Sequence, residues 1–279
     1  MTGLKVKVIG NASNFWLWSE RDGFDLTHPE TSSSPPLHPR ISLQTTNSPI
    51  TIAPSKTALV IIDHALPAAR KAGIQVIWLT WGLTDADLEV MSPTMLRIFK
   101  FDDNGSAQVV PAPGSESKQK EGWTDGGMGA ELGEVVLTDG TRVDMGRMMM
   151  RDQWNTALHR PLRDHYEASL HSDLPDVWLR KNRVSGICDS STDLTGFLAG
   201  KVAHIKTLLF AGVNVDQCVY GTMQDANLKS WDTDLLKDGC GTISPEFATQ
   251  MSIHNCGKSW GFVTTCEQLG YGVQNMAGK

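Results

Sequence analysis

The chain has 279 residues, 40% of them hydrophobic and 20% charged, with a formal net charge of −6. That is enough for one large domain or two small ones with a real buried core. The acidic balance, with no basic cluster longer than Arg180 to Arg183, argues against a nucleic-acid groove, and no apolar run of about 18 residues is present to span a membrane. The first residues, "MTGLKVKVIGNASNFWLW", lack the apolar core of a signal peptide. Five cysteines (Cys188, Cys218, Cys240, Cys256 and Cys266) are an odd number, widely spaced and without a C-x-x-C. Free thiols in a reducing compartment are therefore expected, rather than disulfides or a zinc site. The cytoplasm is the expected location, with unconventional secretion left open.

Residues 1–55 read as an arm packed on the rest, because Phe15, Trp16 and Trp18 need burial. The stretch "RISLQTTNSPITI" alternates in short pieces and predicts a hairpin or an edge strand. From Lys56 the pattern changes. "KTALVIID", ending at Asp63, and "IQVIWLTW", ending at Trp81, are continuous apolar runs of the kind buried on both faces of a parallel sheet. "ALPAARKAG" between them predicts a helix closed by Gly73, making a β-α-β unit with a crossover of only ten residues, His64 to Gly73. Strand one must run about 20 Å if six residues long, whereas a helix from His64 to Ala72 returns only about 13.5 Å.

Residues 85–170 read as an insertion. "DADLEVMSPTMLRIF" has helical spacing, Asp102 to Glu134 is rich in Gly, Ser and Pro, and "EVVLTDGTRVDM" predicts a hairpin around Asp139-Gly140. "GRMMMRDQW" reads as a helix on the core. The β/α rhythm returns at Asp176: strand "DVWLRK", a helix starting near Ser191 or Thr192, strand Ile205 to Val213, helix "DQCVYGTMQDANLKS", strand "TDLLKDG", a helix capped by Ser244 with Pro245 at its first position, and strand Gly261 to Cys266. The fold class is α/β: a three-layer α/β/α, doubly wound, mostly parallel six-stranded sheet of Rossmann-like type over residues 56–279.

In such sheets chemistry gathers beyond the carboxyl ends of the strands. Three reactive residues follow strands: Asp63, Lys181 and Cys218. Cys218 falls in the first turn of a helix, where free N–H groups and the dipole favour a thiolate and can bind an oxyanion. A carboxylate to take the thiol proton and a lysine to orient the pair complete a nucleophilic constellation. Each residue also has a plainer reading. Asp63 can cap a helix, Lys181 can be a solvated charge, and Cys218 can be a small buried hydrophobe. His64 has no second ligand at metal-binding spacing, so no metal and no cofactor are expected.

The pieces "ALVIID", "LRKNRVSG", "LLFAGVNVDQCV" and "TMQDANLKSWDTDLLKDGCGTISPEF" together resemble the isochorismatase-like cysteine hydrolases, over about Lys56–Gly82 and Asp176–Cys266. The insertion resembles a longer branch of that family. The resemblance implies a triad of Asp63 as general base, Cys218 as nucleophile and Lys181 as charge partner. It implies a cis peptide at Val213–Asn214 and an oxyanion hole from the backbone N–H groups of Asn214 and Cys218. Trp81, Ser185 and Val213 are candidates to touch substrate. The implied activity is hydrolysis of an amide-type C–N bond in a small molecule through a cysteine thioester. Isochorismate-type vinyl-ether hydrolysis is the second reading, and a catalytically impaired binding protein the third. A homodimer or homotetramer is expected from the same resemblance. Two departures stand out: Val215 replaces the family's usual threonine, and the loop that normally follows the aspartate is absent after Asp63.

Overall fold

A computed structural model describes residues 6–11, 14–27, 39–45, 48–60, 65–96, 98, 127–189, 192–200, 202 and 204–276. The chain divides into two compact units, one of residues 1–79, 164–179 and 184–279, the other of residues 80–163 and 180–183. The first unit begins with five short strands: β1 (Val6–Asn11), β2 (Asn14–Ser19), β3 (Gly23–Asp25), β4 (Ile41–Gln44) and β5 (Pro49–Ile52). They pair in the order β1-β2-β3-β5-β4. The predicted hairpin is β4 with β5, antiparallel, with Ile41, Leu43, Ile50 and Ile52 all buried. Trp16 and Phe24 meet the ring of Phe262 at centroid distances of 6.0 and 5.7 Å, and the Trp16 indole N–H donates to Asp232 at 3.1 Å.

The main sheet starts with β6 (Thr57–Val60), whose four residues are all buried. Then come α1 (Leu66–Ala72) and β7 (Gln75–Trp81). Later elements are α2 (Asp85–Glu89), α3 (Pro93–Leu96), β8 (Glu134–Val136), β9 (Arg142–Asp144), α4 (Arg160–Ser169) and β10 (Val177–Lys181). The chain ends with α5 (Asp193–Ala199), β11 (Thr207–Val213), α6 (Tyr220–Leu228), β12 (Asp232–Gly241), α7 (Glu246–Asn255), β13 (Phe262–Thr264) and α8 (Cys266–Gln274). Six strands form one all-parallel sheet in the order β10-β7-β6-β11-β12-β13, the doubly wound α/β/α arrangement expected. Leu208 and Phe210 of β11 pack with Leu194 and Leu198 of α5 and Met223 of α6 on one face. Leu209 alternates to the other face, where α1 and α8 pack together.

Gln75 pairs in register with Ala58 and Ile77 with Val60, so β7 begins about two residues, 6–7 Å, back from Val60 along β6. Helix α1, with seven residues, rises about 10 Å. Gly73 ends it in the left-handed region, φ 77°, and the Ile74 N–H reaches the Ala69 carbonyl, tucking Ile74 into the core. Asp63 and His64 lie outside the described residues.

Elsewhere local chemistry overrides periodicity. "DADLEVMSPTMLRIF" is two short helices, not one, since Pro93 disfavours helical backbone at Ser92. "GRMMMRDQW" is not a helix. Gly146, Met149 and Asp152 have φ of 70°, 60° and 61°, and the Asn155 amide binds the backbone of Met145, Arg147 and Met149 instead. Helix α7 begins at Glu246 with Pro245, not Ser244, at the cap position and no side-chain cap; the Ser244 hydroxyl is turned instead to the Asp216 carboxylate, and its N–H donates to Thr242 Oγ1 at 3.0 Å. The hairpin around Asp139-Gly140 forms as β8 and β9. The Gly-, Ser- and Pro-rich stretch falls mostly on residues 99–126, outside the described residues.

One buried group fits none of these patterns. Asp234 of β12 has 0% exposure, and neither carboxylate oxygen has a hydrogen-bond partner among the described residues. Burial pushes this carboxyl well above its ordinary value, and the nearby Thr264 backbone N–H offsets part of that without reaching hydrogen-bond geometry. The folded state therefore keeps Asp234 protonated at a pH where the unfolded chain ionises it. Stability is unaffected below the unfolded value, about pH 4, and falls as pH rises above it, by up to about 1.4 kcal/mol per unit. Asp234→Asn removes this slope. Urea unfolding of both proteins between about pH 4 and 8 should show their stabilities diverging as pH rises, with the variant the more stable at the alkaline end; parallel curves would mean that Asp234 finds a partner.

Candidate active site

Strand β11 delivers the nucleophile candidate. Its first six residues are buried, while Val213, the last, is 61% exposed. The Val213–Asn214 peptide is cis, as the sequence resemblance implied. The chain then makes a π turn over Val215–Val219, closed by the Val219 N–H on the Asn214 carbonyl at 3.2 Å, and runs on into α6. Cys218 lies in this turn, half-buried. Val215, at 2% exposure, belongs to the hydrophobic core.

Two hydroxyl groups missed by sequence reasoning hold the turn. Thr222, one helical turn beyond Cys218, donates to the Cys218 carbonyl at 2.7 Å and accepts the Gly186 N–H at 3.1 Å. Back-bonding from a helical threonine to the residue four before it is common, so the spacing Cys218–Thr222 carried that signal. Gly221 faces Val184 and Ser185, where a side chain would come within 3.7 and 4.0 Å of them. The loop bearing Ser185 is thereby brought against the Cys218 turn. Ser185 is buried, and its hydroxyl accepts the Ile187 N–H at 3.1 Å. Within the first unit the structure thus brings together Ser185, Val213, Asn214 and Cys218.

The second hydroxyl is Thr242. Two steps along β11, Phe210 to Gly212, match five along β12, Leu235 to Cys240, so β12 bulges and Gly241 ends up beside Val213. Thr242, the next residue, donates to Asp216 at 2.6 Å. Burial pushes the Asp216 carboxyl up, but hydrogen bonds from Thr242 and Ser244 outweigh it and hold the group below its ordinary value. The turn is thus fastened by a charge-assisted bond on one side and by Thr222 on the other.

Lys181 and Trp81 belong to the second unit, where they meet. Lys181 is the last residue of β10 and is 5% exposed; Trp81, the last of β7, is 9% exposed. The lysine Nζ lies 3.5 Å from the Trp81 ring centroid and donates to the Arg183 carbonyl at 2.9 Å. Around them the Gly82 N–H donates to the Lys181 carbonyl at 3.0 Å, and the Asn182 amide donates to Asp87 at 2.7 Å. Lys181 is therefore no solvated surface charge. Asp63 lies outside the described residues. No group of three or more His, Cys, Asp or Glu that could hold a metal occurs among the described residues, and no helix there is long and apolar enough to cross a membrane.

Comparison with known proteins gives this geometry a context. The sequence profile of the isochorismatase domain matches residues 137–268. The chain is 23% identical to a ureidoacrylate amidohydrolase RutB of Rhizobium rhizogenes over 81% of its own length and 86% of the relative's. It is 25% identical to the protein of that name from Caulobacter segnis, over 84% and 93%. A cysteine hydrolase structure from Pseudomonas syringae pv. phaseolicola superposes with a TM-score of 0.51 at 15% identity, covering 88% of this chain and 99% of the other.

Three of the remaining cysteines are held as unreactive thiols. Burial pushes the thiols of Cys240, Cys256 and Cys266 each up to about 12. Only the thiolate reacts with alkylating agents, and at about pH 8 a thiol with such a value is ionised to roughly one part in ten thousand. Iodoacetamide treatment of the folded protein, followed by peptide mass mapping, should label Cys218 first and leave these three unmodified until the chain is unfolded. Labelling of Cys218 no faster than Cys188 would remove the ground for treating it as an activated nucleophile.

Proposed function

We propose that the chain is an isochorismatase-like hydrolase, the family whose profile matches residues 137–268, and that it cleaves an amide-type C–N bond of a small molecule through a thioester on Cys218. The observation that carries the reading is the surroundings of Cys218: a half-buried thiol in a turn fastened on both sides, beside an exposed strand end at Val213. The named activity of the amidohydrolase relatives supports the bond type.

In this reading the Asp63 carboxylate takes the thiol proton, and the Cys218 sulfur forms a bond to the amide carbon. The carbonyl π electrons move to oxygen, and the oxyanion is held by the backbone N–H groups of Asn214 and Cys218. The C–N bond breaks as the proton returns from Asp63 to the leaving nitrogen. Water, deprotonated by Asp63, then attacks the thioester, the C–S bond breaks as the acid is released, and the proton on Asp63 returns to the Cys218 sulfur. Lys181 is the cation that keeps Asp63 ionised and oriented. In the same reading Ser185 and Val213 touch the bound acyl group. The reaction needs neither metal nor cofactor.

Ureidoacrylate and a panel of simple amides are the first compounds to assay. Wild-type protein should release ammonia from at least one of them. Cys218→Ala should lower kcat by roughly a thousandfold or more, and Lys181→Met by a smaller factor, while both variants keep the wild-type circular dichroism. Activity that survives Cys218→Ala would sink the thioester mechanism. Turnover of isochorismate in place of any amide would favour vinyl-ether hydrolysis, and silence towards both would favour a binding protein on this scaffold.

A further inference from the structure

The sequence offers Trp81 as a wall of the substrate pocket. One face of the indole is covered by the Lys181 ammonium at 3.5 Å from the ring centroid, and a face so occupied cannot also stack on a substrate. We propose that Trp81 is a positioning residue: its π face, together with the Arg183 carbonyl, holds the charged Lys181 side chain in the one orientation that the hydrolytic reaction uses. This inference rests on the proposed role of Lys181 as charge partner.

An ammonium group at 5% exposure has lost most of its water and must be compensated by fixed dipoles or charges. The Arg183 carbonyl supplies one acceptor, at 2.9 Å. The negative face of an indole is the strongest aromatic partner for a cation, and desolvation strengthens the attraction. The ring is not free to move away. Trp81 ends a strand, is 9% exposed, and precedes Gly82, whose N–H is bound to the Lys181 carbonyl. Gly82 matters here for a second reason. A Cβ at that position would lie 2.8–3.0 Å from the Arg180 side-chain stem, so glycine lets the two strand ends close up. The Arg180 guanidinium is in turn bound to Thr80 Oγ1 at 2.7 Å and to the Thr156 carbonyl at 3.3 Å. On the far side of the lysine, Asn182 is fastened to Asp87, whose carboxylate also receives the Thr84 N–H and hydroxyl. Lys181 is thus bracketed by residues fixed on both sides, and Trp81 supplies the surface on which its charge rests.

The test replaces Trp81 in the full chain by mono-, di- and trifluorinated tryptophans, which keep the shape of the ring and progressively remove the negative charge of its face. Ammonia release from ureidoacrylate, or from whichever amide the wild type turns over best, is measured for each. A positioning role predicts a graded fall in kcat, about tenfold across the series, with KM within about twofold. A substrate wall or a purely structural role predicts kcat independent of fluorination, which would overturn the proposal. Trp81→Leu serves as the extreme variant, and the fluorinated series keeps the proposal falsifiable if that protein does not fold. A second readout is independent of turnover: the Lys181 ε-methylene protons, assigned by their loss in Lys181→Met, should be shifted upfield by the ring current. Ordinary shifts would overturn the proposal whatever the activity. Upfield shifts in a protein that hydrolyses no amide would leave the pairing intact and place the failure in the hydrolase reading.

Discussion

The register of β11 between β6 and β12 is the constraint on which the rest depends. Phe210 pairs with Val60 on one side and Leu235 on the other, and every residue of β11 before Val213 is buried. A strand buried on both faces and hydrogen-bonded on both edges has no alternative register, because a slip of one residue exchanges its two packed faces and leaves backbone groups unpaired. The point where β11 stops is therefore fixed by the core. The cis peptide, the π turn and Cys218 follow within five residues of that point, so the position of the thiol is set by packing far from solvent.

The bulge in β12 is the second step in the same argument. A regular strand would pass Val213 and leave the π turn without a partner on that side. The extra residues between Leu235 and Cys240 let Gly241 draw level with Val213, and Thr242 then reaches Asp216. Gly239, inside the bulge, lies so close to Cys266 and Ala211 that a Cβ would meet them at 2.8 and 3.2 Å. The bulge is tight as well as irregular, and glycine is what its closeness demands.

Much of the fold was legible because its strands are short, apolar and separated by turn residues. The runs ending at Trp81, Lys181 and Val213 became β7, β10 and β11 with ends at those residues. The helix ahead of Gly73 and the Thr192 cap of α5 followed from single-residue chemistry. What failed was periodicity where backbone conformation decides. The Met-rich stretch from Gly146 to Trp154 has an apolar composition that suits a helix, yet a side-chain amide, Asn155, organises it as a turn. Tertiary hydrogen bonds of that kind leave no local pattern. Thr242 escaped notice for the same reason, since its partner is 26 residues away.

Val215 joins these strands of argument. The sequence resemblance implied a threonine at this position and so a lost polar contact. In this chain Val215 is buried in the core among Phe210, Val219 and Met223, where a hydroxyl would need a partner that an apolar cluster does not supply. The turn keeps its polar fastening by other means, through Thr222 on the helix side and Thr242 on the strand side. Val215 thus contributes apolar burial beneath the turn, while two hydroxyl groups anchor its flanks. Change at Val215 therefore acts on the packing beneath the turn, whereas change at Thr222 acts on the bond that ties the Cys218 carbonyl to the loop that carries Ser185.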